Sequence, residues 1–162
     1  MYKLEDLENS IFKAEDFEAV ICLGEGRNYY ILKDGMPHCC VIVDDNSMFE
    51  TGTICEVFFV APHNDEVIIM SLNDLMVKQK IRPDGYFCKA ALVNNILLIS
   101  DCTGITALNR NLEVLWSKHN LAIDGVILGE MVSEDVIEIS CEMDPPGGWV
   151  SKMINISTGE LS

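Results

Sequence analysis

The chain has 162 residues, 49 % of them apolar, and its 26 acidic against 11 basic side chains leave a net charge of −15. That length predicts one β-rich domain over residues 1–162 with a core that needs no disulfide staples, and the apolar content excludes a disordered chain. The charge argues against a partner that is nucleic acid or an anionic membrane, and for one that is basic.

The first ten residues, MYKLEDLENS, are acidic and lack the apolar stretch of a signal peptide. No apolar run approaches the ~18 residues of a membrane span, so the expected location is cytoplasmic. Leu4, Leu7 and Ile11 fall at i, i+3 and i+7 with acids between them, which predicts a short N-terminal helix. Beyond it the helical signal stops, and short apolar runs alternate with turn residues. FEAVICLG (17–24) closes at Gly24-Glu25-Gly26. NYYILKDG (28–35) closes at Asp34-Gly35, a strong hairpin signal. HCCVIVDDNS (38–47) runs into an Asp/Asn/Ser cluster. TICEVFFVAP (53–62), EVIIMSL (66–72) and LMVKQKI (75–81) follow, and Arg82-Pro83-Asp84-Gly85 marks a break. YFCKAALV, ILLISD, ITALN and LEVLWS form the next group; GVILGEMV, VIEISCEM and WVSKMINI form the last.

Turns recur every six to ten residues or so, which favours antiparallel meanders over helical crossovers. A faint repeat runs through residues 58–81, 90–116 and 126–161: strand, polar turn, strongly apolar strand, second turn, third strand. Its period matches β-propeller blades, and GITALNRNLEVLW resembles the strand pair of quinoprotein-like blades. The expected fold is therefore all-β, with antiparallel meanders stacked as an open, partial β-propeller-like structure; the alternative is a β-sandwich.

Little in the chain points to catalysis. The seven cysteines are scattered with no C-x-x-C pair and mostly sit in apolar strand runs, so they read as buried, reduced thiols. In His38-Cys39-Cys40 adjacent strand residues point to opposite faces, so the cluster does not converge on an ion. His38, His63 and His119 match no local nucleophile motif. Asp101-Cys102-Thr103-Gly104 is a turn without the second copy that a carboxylate dyad needs. No cofactor, no metal and no enzymatic activity are expected.

The acids are uneven: residues 1–50 hold 11 acids and 4 bases, 51–100 hold 5 and 4, and 101–162 hold 10 and 3. In VIEISCEM the alternation turns Glu138 and Glu142 to one face of a strand. Glu130, Glu134 and Asp135 before it and Asp144 after it extend that negative edge, with Lys152 expected opposite Glu142. Asp44, Asp45 and Glu50 make a second patch. In the stretch CEMDPPGGWVSKM, Pro145-Pro146 and Gly147-Gly148 reverse the chain, and Trp149 follows as a candidate interface anchor.

MDPPGGWVSKMINISTGEL is similar to the C-terminal stretch of small bacterial proteins found beside toxin systems. In character the chain resembles the immunity proteins of bacterial polymorphic-toxin and contact-dependent growth inhibition systems. That resemblance implies a protein that binds a cognate toxin C-terminal domain, often a basic RNase or DNase, and blocks its active site. The alternatives are a non-enzymatic adaptor or scaffold with a propeller-like face, or a small-molecule binder with a pocket at the blade ends.

Overall fold

The computed structural model describes residues 1–5, 11–44 and 52–162. Among the described residues are fifteen β-strands and one three-residue 3-10 helix, Ala14–Asp16, so the protein is all-β. The strands form four small open sheets. The chain divides into two compact units, Met1–Ile81 and Arg82–Ser162.

The first unit starts with β1 (Tyr2–Leu4), β2 (Ala19–Cys22), β3 (Arg27–Lys33) and β4 (Met36–Val43), in spatial order β1-β3-β4-β2. Its centre is the β3–β4 hairpin. Asp34 and Gly35 at the tip have φ of 52° and 83°, the left-handed pair that a type I′ turn requires. Here the structure departs from the sequence in two places. Tyr2–Leu4 is a strand, paired antiparallel with Ile31–Lys33, where a helix was expected. Leu4 joins the core from that edge, Ile11 is 85 % exposed, and Leu7 lies outside the described residues. A three-point apolar pattern is a weak helix signal, and a non-local ladder overrides it. The second departure is β2, which runs parallel to β4 in an otherwise antiparallel set.

The other sheet of this unit is the antiparallel meander β5 (Thr53–Cys55), β6 (Phe58–His63), β7 (Glu66–Ser71) and β8 (Met76–Ile81). Ile31, Cys39 and Val41 from the first sheet and Phe59, Ala61, Ile68 and Met70 from the second form one cluster, each fully buried. Tyr29 and Phe59 meet edge to face, with ring centroids 5.0 Å apart.

The second unit holds β9 (Phe87–Val93), β10 (Ile96–Asp101), β11 (Ile105–Leu108) and β12 (Val114–Lys118) in one meander. β13 (Val126–Ser133), β14 (Val136–Glu142) and β15 (Trp149–Asn155) form the other. Asn94 and Asn95, with φ of 48° and 65°, close the β9–β10 hairpin as asparagines do when both turn positions are left-handed. Leu98, Ile105 and Ala107 from the first meander pack with Val126, Leu128, Ile137, Ile139 and Ile154 from the second. Each large aliphatic side chain removed from water here contributes about 1.5–3 kcal/mol. The three sequence repeats coincide with β6–β8, β9–β12 and β13–β15.

Cys39, Cys40, Cys55 and Cys141 are buried, Cys88 and Cys102 partly so, and Cys22 is exposed; all are free thiols. Burial pushes the Cys39 thiol up to about 12 and the Cys88 thiol up to about 11. Among the described residues no helix is long and apolar enough to cross a membrane.

Candidate protein-binding face

Sheet β13-β14-β15 carries the acidic candidates of the second unit. Its inner face is set by the pairs Val126–Cys141, Leu128–Ile139 and Ile137–Ile154, which complete the core, while Val150, 45 % exposed, and Lys152 continue the first two rows on β15 outside it. The opposite face therefore carries Ile127, Ser140 and Ser151 in one row, Glu138 beside Met153 in the next, and Glu142 beside Trp149. Ile127 and Trp149 are 44 % and 45 % exposed. The Trp149 ring lies over Gly125, where a Cβ would sit 3.3 Å from Cη2, so the glycine makes room for the indole.

The predicted acids divide. Glu130, Glu134, Asp135 and Asp144 are exposed, and Glu138 is partly buried, its Oε1 accepting a hydrogen bond from the Ser151 hydroxyl. Glu142 is not an outward-looking surface group: it is 9 % exposed, and its Oε1 accepts the Gly147 amide. The reversal folds back over it, with Gly148 N–H donating to Asp144 C=O at 2.9 Å and Met143 N–H to Gly148 C=O at 2.8 Å. A Cβ at Gly148 would lie 2.5 Å from that of Asp144, so the turn closes only around glycine.

Lys152 corrects a second expectation. Its register partner is Ile139, and Glu142 pairs with Trp149 instead. The Lys152 ammonium turns to the inner side and donates to Leu121 C=O at 2.6 Å. Residues 126–155 contain six acids and this one base, and among the described residues the base forms no ion pair. The negative charge of the sheet is therefore not neutralised from within it.

The β13 edge is irregular. Its register shifts between Leu128 and Met131 and again between Met131 and Ser133, so Gly129-Glu130 stand opposite Glu138 alone and Val132 is a second extra residue. Bulges of this kind bend a strand and re-aim its side chains, and they leave Met131 and Val132 exposed beside Glu130.

The second proposed patch lies in the first unit. Asp44 is a structural acceptor: its Oδ1 takes the Glu25 amide at 2.7 Å, and its own N–H donates to His63 Nδ1 at 3.1 Å. Asp45 and Glu50 lie outside the described residues. Sequence reasoning missed Ile127 and Met153. The signal was present in Val126-Ile127-Leu128, where a two-residue period must turn the middle residue outward.

The remaining candidates have local roles. Asp101 Oδ1 accepts the amides of Thr103 and Gly104 at 2.9 and 2.7 Å, and Oδ2 accepts that of Asp84 at 3.0 Å. His38 Nδ1 lies 3.4 Å from Glu18, and its Nε2 meets Leu72 C=O at 3.0 Å. Among the described residues no three His, Cys, Asp or Glu side chains gather as a metal site. The sequence matches no protein-family model and no curated protein.

Proposed function

We propose that the protein is an immunity protein, a cytoplasmic, non-enzymatic binder that neutralises a basic toxin domain through the outer face of sheet β13-β14-β15. The observation that carries this reading is that the outer face carries half-exposed Ile127 and Trp149 with Glu138, that Glu130 in the β13 bulge and Glu134 and Asp135 in the β13–β14 turn are exposed on the same sheet, and that the only lysine of the sheet is tied to the opposite side. Acids arranged around an apolar centre speed encounter with a cationic surface, and a buried aromatic then supplies much of the affinity. We propose with it the open, propeller-like architecture, supported by the blade-like form of the single meanders β5–β8, β9–β12 and β13–β15.

The test is calorimetry against the toxin domain encoded beside this gene, at about 0.05 and 0.5 M NaCl, a span over which surface charge is progressively screened. Nanomolar binding that weakens with salt is the expected result. Reversing Glu130, Glu134 and Asp135 to lysine should weaken it by at least about tenfold, chiefly through slower association. Trp149→Ala should cost about 2 kcal/mol or more if the indole is the anchor. Glu142 is left intact because its loss would act through the turn. Absence of binding would remove the immunity reading and favour the adaptor.

A further inference from the structure

The second unit contains a groove of about 390 Å³ lined by Trp116, Ser117, Lys118, His119, Asn120, Thr158 and Gly159. It opens where the end of β12 faces the turn after β15. Trp116 is fixed there: its Nε1–H donates to Ile156 C=O at 3.0 Å, and a Cβ on Gly159 would lie 2.8 Å from the ring. Gly159, at φ 74°, lets the turn press flat against the indole. The end of β12 is fixed as well, because Gly104 brings its backbone so near that a Cβ would meet Lys118 C=O at 2.3 Å. The walls are therefore formed before any ligand arrives.

The chemistry of the lining is unlike the rest of the chain. Acids outnumber bases by more than two to one overall, yet no lining residue carries a carboxylate. Lys118 is one of three bases in residues 101–162, and it adjoins His119. Among the described residues the Lys118 ammonium, the His119 ring and the Asn120 carboxamide have no hydrogen-bond or ion-pair partner in the protein, so their donors face the groove or water. The groove is large enough for a small ligand, and with five polar side chains beside one indole it suits a polar one.

We propose that this groove binds a small oxyanion-bearing ligand. Lys118 and His119 hold its phosphate or carboxylate, Asn120 and Thr158 bond its polar substituents, and its body lies against Trp116. Charge-assisted bonds to an oxyanion are the strongest contacts this lining offers, and they give it selectivity against neutral analogues.

The experiment uses the full chain carrying Trp149→Phe, which leaves Trp116 as the sole tryptophan. Its fluorescence is followed while inorganic phosphate, citrate, glucose 6-phosphate and AMP are added, with NaCl of equal ionic strength and glucose as controls. At least one of the four should give a saturable change that neither control gives. Lys118→Gln should raise its dissociation constant at least about tenfold, the usual worth of one charge-assisted bond. Circular dichroism checks that the variants fold; if Lys118→Gln does not, the exposed His119→Gln decides on the same criterion. Four anions indistinguishable from NaCl, or a response that both substitutions leave unchanged, would overturn the proposal.

Discussion

The side chains of the acids divide by what they accept. Asp44, Asp101 and Glu142 each accept backbone amides and hold a loop in place; Glu130, Glu134, Asp135 and Asp144 are exposed. Asp101 makes the sharpest case, because three amides from two chain segments converge on one carboxylate that is 5 % exposed. An asparagine there keeps the shape but presents an NH2 to one of those N–H groups. Asp101→Asn should therefore lower stability by about 1–3 kcal/mol, read as a lower urea midpoint with unchanged slope. A midpoint within error of the parent would mean that the amides are satisfied without it. The sequence reveals Asp101-Cys102-Thr103-Gly104 as a turn because turn chemistry is local. It does not reveal Asp101 as the acceptor, since one of the donors is the Asp84 amide, seventeen residues upstream. Glu142 was misplaced for the same reason: alternation gives its face, but the cover over it comes from Gly147.

Among the elements, hairpins whose tips demand positive φ were legible, as Asp34-Gly35 and Asn94-Asn95 show. β1 was not, nor was the parallel pairing of β2, although the run FEAVICLG marks β2 itself, because the pairing of β1 with β3 and of β2 with β4 is decided by contacts far along the chain. The β13 bulges were equally hidden, since VILGEMVS carries no polar–apolar alternation for a bulge to interrupt. β15 allows its own geometry to be tested. Met153 C=O accepts Ser162 N–H at 3.1 Å, and Asn155 N–H donates to Glu160 C=O at 2.8 Å, so the odd residues of this strand turn their backbone groups away from β14. Ser151 belongs to that outward set, and Lys152 to the set that bonds Ile139. Proline at an outward position removes no bond of the β14 ladder, whereas at an inward one it removes a bond from the core sheet. Ser151→Pro should fold with a loss of no more than about 1.5 kcal/mol, that of its hydroxyl bond to Glu138, and Lys152→Pro should lose about 3 kcal/mol or more. Equal losses in urea unfolding would show that the inward and outward assignments are wrong.

At the scale of the whole molecule, a charge of −15 and a set of buried thiols act together at alkaline pH. Burial raises Cys39 to about 12 and Cys88 to about 11, and it raises Cys40, Cys102 and Cys141 as well. The unfolded chain releases these protons near the ordinary thiol value, about 8.5. Above that pH the native state binds more protons than the unfolded one, so stability falls as pH rises. The contribution is complete below about 8.5 and is lost progressively as pH climbs toward 11 for Cys88 and 12 for Cys39. Mutual repulsion among the carboxylates grows over the same range as lysines lose their charge, but it is screened by salt, and the thiol contribution is not. The melting temperature should therefore fall between pH 9 and 12 even in about 1 M NaCl, where the screening length is only about 3 Å. Cys39→Ala should lower it at pH 7 through the cavity it leaves, and should flatten its slope at high pH. A slope that vanishes in salt would assign the whole effect to surface charge, and one unchanged by Cys39→Ala would remove that thiol from the account.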